Sequence, residues 1–99
     1  MADGEVVLDR NFEIDAGKET RVELFAVEND TEPGGYYYRF QYYTPEEGDE
    51  ILRYDNAHDT DVGPHHRHVR GDVTGIEFDG LEAHVARFRQ EVRIINARR

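Results

Sequence analysis

The chain has 99 residues, 22 acidic and 12 basic, for a formal net charge of −10, and its only lysine, Lys18, stands beside eleven arginines. That length predicts a single domain over 1–99 with one modest core, to which the rings making up 11% of the residues contribute much of the buried area. The absence of cysteine excludes a disulfide framework, a thiolate zinc site and a thiol nucleophile, and no cationic apolar leader or bilayer-length run points to a membrane, so a cytoplasmic location is expected.

Residues 5–14 alternate, with Val6, Leu8, Phe12 and Ile14 on one face and Asp9, Asn11 and Glu13 on the other, as in a half-buried strand. AGKE at 16–19 reads as a turn. Residues 21–27 form a second strand, hairpin-paired with the first, that sets Val22, Leu24 and Ala26 on one side. After the loop NDTEPGG at 29–35 comes YYYRFQYY at 36–43, the most aromatic strand. Tyr36, Tyr38, Phe40 and Tyr42 share one of its faces, and Tyr37, Arg39, Gln41 and Tyr43 the other. Aromatic residues favour strands and pack across neighbouring strands, which assigns the first set to the core. Tyr37 and Tyr43 are candidates for stacking on nucleobases.

TPEEGDE at 44–50 turns the chain into a fourth strand, 51–55, where Leu52 and Tyr54 point one way and Arg53 and Asp55 the other. Antiparallel pairing with the third strand then gathers Arg39, Gln41, Arg53 and Asp55 on one polar face, either as a functional cluster or as ordinary cross-strand ion pairs. Residues 65–70 are expected to form a short edge strand, and Ile76 with Phe78 another small one. Asp79 and Glu82 fit a capping box opening a helix over about 80–96, with Leu81, Val85, Phe88, Val92 and Ile95 as its apolar stripe and His84 a structural residue beside it. The expected architecture is α+β: an N-terminal antiparallel sheet of four to six strands over about 5–78, packed by one C-terminal amphipathic helix.

Charge is uneven. Residues 1–64 carry 17 acidic and 5 basic side chains, net −12, whereas residues 65–99 carry 5 and 7, net +2. A carboxylate-rich, lysine-poor surface fits the halophilic, archaeal type of acidic proteome, in which salt screens the repulsion. The C-terminal arginines Arg87, Arg89, Arg93, Arg98 and Arg99 either decorate a solvated helix or meet phosphate or an acidic partner. So small a core would also gain from a partner chain, a homodimer among the possibilities.

Four of the five histidines lie within residues 58–68, alongside Asp55, Asp59 and Asp61 and flanked by Arg53, Arg67 and Arg70. In strand geometry His66 and His68 face the same side, roughly 6 to 7 Å apart, with Arg67 turned away. Three readings stay open. In metal-independent RNA cleavage, His66 and His68 serve as base and acid and Arg53 and Arg67 clamp the phosphate. In a metal site, imidazoles of His58, His66 and His68 join Asp55 or Asp59 as ligands. In the third, Asp55 and Asn56 organise a turn and the histidines belong to a polar loop without chemistry.

The segments Arg53-Tyr54-Asp55-Asn56 and His66-Arg67-His68, followed by Gly71 and a terminal amphipathic helix, resemble the TumE-like toxins of prokaryotic toxin–antitoxin modules. The resemblance covers most of the length, with its specificity in the YDN and HRH motifs. It implies a growth inhibitor encoded beside a helix-turn-helix antitoxin that holds it in check, and it marks those seven residues as the family's signature. A ribonuclease chemistry comes from the imidazole and arginine content and not from the family. It needs no cofactor, assigns catalysis to His66, His68, Arg67, Arg53 and Asp55, and gives Asn56, Tyr54, Arg39 and Arg70 to substrate binding. Tyr54 shares the parity of Leu52, which also suits a core position. His65 before the motif and His58 and Pro64 in the interval depart from the family pattern and keep a metal in view, with a non-catalytic protein-binding module as the reading from another class.

Overall fold

Alternating apolar and polar residues run through most of the first 75 positions. In the structure, a computed structural model describing residues 4–14, 19–57 and 62–98, these runs are strands. β1 (Val6–Glu13), β2 (Arg21–Glu28), β3 (Tyr36–Thr44), β4 (Asp49–Asp55), β5 (His66–Val69) and β6 (Asp72–Gly75) form one antiparallel sheet in sequential order, and α1 (Leu81–Ala97) packs on one face. The α+β expectation holds, with six strands. The AGKE turn falls largely outside the described residues.

Two irregularities adjust the expected faces. The register between β1 and β2 shifts between Val6 and Leu8, so Val6 pairs with Val27 while Leu8 pairs with Ala26. Val6 thereby leaves the core side and is 53% exposed. Between β3 and β4, Tyr42 pairs with Leu52 and Tyr43 with Glu50. Ile51 is the extra residue of that bulge, and it is buried together with Leu52.

The segment 65–70 is not an edge. β6 pairs beyond β5 through the two-residue turn Arg70-Gly71, whose φ angles of 51° and 87° match the twist a tight hairpin needs. No strand forms at Ile76 and Phe78: the ladder closes with one bond, Ile76 N–H to the His65 carbonyl at 3.0 Å, and Phe78 turns inward to stack on His65 with centroids 4.8 Å apart. The capping box does not form either. Gly80, at φ 105°, is the N-cap and offers no side-chain acceptor.

The core lies between sheet and helix, where Val22, Leu24, Ala26, Tyr38, Phe40, Tyr42, Leu52 and Tyr54 meet Phe88 and Val92. Leu81, Val85 and Ile95 complete the stripe as partly buried residues. Three fully buried tyrosines give this core a polar fringe, because a buried phenol needs a partner for its hydroxyl. Tyr42 donates to Asn96 Oδ1 (3.0 Å), Tyr54 donates to Glu91 Oε1 (2.5 Å), and the Tyr38 hydroxyl meets His65 Nδ1 (2.9 Å). Two of these bonds pin the helix to β3 and β4. The third pins the approach to β5.

Candidate functional site

The register decides which chemical groups meet. Arg39 lies opposite Asp55 and Gln41 opposite Arg53, while Asp55 lies opposite His66 and Arg53 opposite His68. Since Leu52 and Tyr54 point into the core, Arg53 and Asp55 point to the face of the sheet without the helix, and His66 and His68 join them there. The polar cluster expected from parity therefore forms and extends to β5.

Asp55 is its centre. Oδ1 lies 3.2 Å from His66 Nδ1 and 3.4 Å from His68 Nε2, and Oδ2 lies 2.9 Å from Arg53 Nε. That last contact is an ion pair without hydrogen-bond alignment. Arg53 Nη2 is 3.3 Å from both ring nitrogens of His68, an equidistance that places the guanidinium over the ring face. Arg53 Nη1 reaches Glu50 Oε2 at 3.2 Å, and the same oxygen accepts from Gln41 at 2.7 Å.

The two imidazoles are not equivalent. His66 is 1% exposed, its Nε2 lies 2.7 Å from the Gly63 carbonyl, and its Nδ1 faces Asp55. Its side chain is held on both sides and has no free nitrogen to offer a substrate. His68 retains 18% side-chain exposure and is the imidazole a ligand can reach. Arg39 is exposed on the same face, one strand away.

Arg67 points the other way. Its Nε donates to Glu91 Oε2 at 3.0 Å, its Nη2 joins the same carboxylate, and Glu91 also receives the Tyr54 hydroxyl. Burial alone would raise the Glu91 carboxyl, but the hydrogen bonds from Arg67 and Tyr54, aided by the charges of Arg67 and Arg87, outweigh it and leave that carboxyl below its usual range. Burial and the Glu91 hydrogen bond push the Tyr54 phenol well above its ordinary value. Arg67, Arg70, Arg87 and Arg98 wall a groove of about 760 Å³ floored by Ile51, Val69, Ile76, Ile94 and Ile95. Arg67, Tyr54 and Arg70 thus belong to the helix side, away from His66 and His68.

Asn56 has a backbone task. It is 1% exposed, its Oδ1 accepts from Tyr38 N–H at 3.1 Å, and its Nδ2 donates to the Tyr36 carbonyl at 2.6 Å. His65 sits in the core end with Tyr38, Phe78 and His84, where burial and the charge of His66 lower its pKa. Burial also brings His84 down to about 4, helped by His65 and Arg87. His58 and Asp59 lie outside the described residues. Three participants carried weak sequence signals: Glu50 sits in an acidic turn, Glu91 interrupts the arginines of α1, and the Gly63 carbonyl belongs to the backbone. A group of one ligand atom each from Asp55, His66 and His68 lies within 4.8 Å.

Compared with known proteins, the chain matches a family model described as Toxin TumE over residues 3–96. No curated protein and no solved structure matches it.

Proposed function

The chain belongs to the TumE toxin family, and from that premise we propose that it is the toxin of a type II toxin–antitoxin pair that acts on RNA at the Asp55–His66–His68–Arg53 cluster. The observation carrying this reading is a buried carboxylate touched by two imidazoles and a guanidinium on a sheet face that otherwise faces solvent. A merely solvated face has no reason to desolvate Asp55 and His66, at a cost that only the contacts among them offset.

In this reading His68 is the proton-transfer group at the reacting position, because it is the accessible imidazole. Arg53, lying over its ring, and Arg39 from the neighbouring strand take the phosphate, for which guanidinium geometry is suited. His66 is a positioning residue. It fixes Asp55, which in turn orients His68. Local arginines offset the repulsion of phosphate by a chain of net charge −10, and salt screens the remainder.

The partner in this reading is a helix-turn-helix antitoxin that docks an acidic segment in the arginine-walled groove between α1 and β5–β6. The groove's charge opposes that of the chain as a whole, and its isoleucine floor suits a protein segment better than a phosphate backbone. The test is induced expression in a salt-adapted host, following growth and total RNA integrity. Wild type arrests growth with RNA breakdown, His68→Ala with a preserved circular dichroism spectrum does neither, and Arg87→Glu weakens rescue by the co-expressed antitoxin. Arrest by folded His68→Ala equal to wild type refutes the assignment of the site.

A further inference from the structure

We infer that Asp55 Oδ1, His66 Nδ1 and His68 Nε2 form a binding site for one divalent transition-metal ion of the zinc class, with an open position beside Arg53. The inference deepens the reading of this cluster given above and rests on it for the ion's role, though binding itself is measured separately.

The first argument is distance. Metal–ligand bonds of about 2.0–2.1 Å at tetrahedral angles put neighbouring ligand atoms roughly 3.3–3.4 Å apart. Asp55 Oδ1 stands 3.2 Å from His66 Nδ1 and 3.4 Å from His68 Nε2, so two edges of such a site are already set. One atom from each residue can be chosen with all three within 4.8 Å of one another.

The second argument is the proton inventory of His66. A carbonyl only accepts, so the 2.7 Å contact with Gly63 O places a proton on Nε2. With that proton on Nε2, Nδ1 faces a carboxylate oxygen 3.2 Å away inside a buried site, a contact that calls for a proton or a metal ion between the two atoms. A second proton on His66 answers that one contact, whereas a metal ion answers His66 and His68 together. An imidazole oriented by a backbone carbonyl through its other nitrogen is also the usual support of a metal ligand.

The third argument concerns access and charge. Arg53 engages Oδ2 and leaves Oδ1 to the histidines. Asp55 and Glu50 against Arg53 leave one local negative charge, which a divalent ion turns into one positive charge facing solvent. Three protein ligands with an open position is the arrangement of catalytic and not structural zinc, and two imidazoles with one carboxylate favour zinc or manganese over magnesium or calcium. With His68 Nε2 given to the ion, the Lewis acidity that a bound ion would supply takes the place of proton transfer by His68, since His66 cannot reach a substrate.

The test is calorimetric titration of zinc chloride into the full chain after dialysis against a chelator, with cobalt(II) absorption as a second readout. Wild type binds one equivalent and gives the visible band of four-coordinate cobalt. His68→Ala and Asp55→Asn, checked for folding by circular dichroism, bind at least tenfold more weakly, and His68→Ala serves alone should Asp55→Asn fail to fold. Absence of stoichiometric binding by folded wild type, or equal affinity in folded His68→Ala, overturns the inference. Metal binding without RNA cleavage upholds the site and removes RNA as the substrate. Cleavage by protein kept in chelator upholds the RNA reading and overturns the ion's role in it.

Discussion

Replacing His84 by leucine should leave stability at neutral pH unchanged or higher and flatten the acid limb of the stability curve. His84 is 2% exposed, its Nε2 has no hydrogen-bond partner among the described residues, and its ring is packed among Tyr38, Phe40, Tyr54 and Phe78. A buried polar atom without a partner costs about 1–3 kcal/mol, which leucine removes while filling a similar volume. Burial holds the folded imidazole at about 4 against 6.5 in the unfolded chain, with His65 and Arg87 adding to the effect. Between those values the unfolded state binds the extra proton, so stability falls with falling pH. The linkage removes about 2 kcal/mol by pH 5 and about 3 kcal/mol by pH 4 relative to pH 7.5. Urea denaturation of wild type and His84→Leu at pH 7.5 and pH 5 isolates this part, because the other groups titrate in both. The wild type should lose about 2 kcal/mol more than the variant over that interval. An equal loss in the two proteins, or a leucine variant destabilised by more than about 2 kcal/mol at pH 7.5, refutes the reasoning.

Asn56→Ala strips a half-buried carbonyl and a buried N–H of their partners and should cost about 2–4 kcal/mol in urea denaturation; a cost below about 1 kcal/mol would mean that water replaces the amide. Gly75→Ala places a Cβ 2.2 Å from the Val62 carbonyl, next to the Gly63 carbonyl that holds His66. It should lower the denaturation midpoint and weaken growth inhibition together, and an unchanged midpoint would show that the loop yields freely. Glu91→Gln should cost about 1 kcal/mol at pH 7 by weakening the bonds to Arg67 and Tyr54. Because the Glu91 carboxyl is held low when folded, its contribution is present above the ordinary carboxylate range and disappears as the pH falls through the lowered value, so wild type and variant should converge in acid; a gap that persists there contradicts the assigned charge state.

Strand parity carried most of what was legible in the sequence. The period of two places Val22, Leu24 and Ala26 beside Tyr38, Phe40 and Tyr42, and it also brings Arg39, Gln41, Arg53 and Asp55 onto one face with His66 and His68 in step. Parity even separates Arg67 from its neighbours. Its partner Glu91 lies 24 residues on, across a helix–sheet contact that no local pattern specifies. What alternation cannot reveal is where it breaks: the extra residue at Ile51 and the shift at Val6 depend on pairing with a second strand. The strand Asp72–Gly75 was hidden because its four residues are all exposed and show no apolar face. The difference between His66 and His68 was hidden as well, since it arises from a loop carbonyl folding over one ring and not the other.

Incubation of purified wild type and folded His68→Ala with total RNA, supplied with zinc or manganese and sampled over time, tests the central claim most directly. Fragmentation by wild type and none by His68→Ala is the predicted result. Intact RNA with both proteins, under conditions where wild type still arrests growth in cells, contradicts it and leaves a toxin whose target is not RNA.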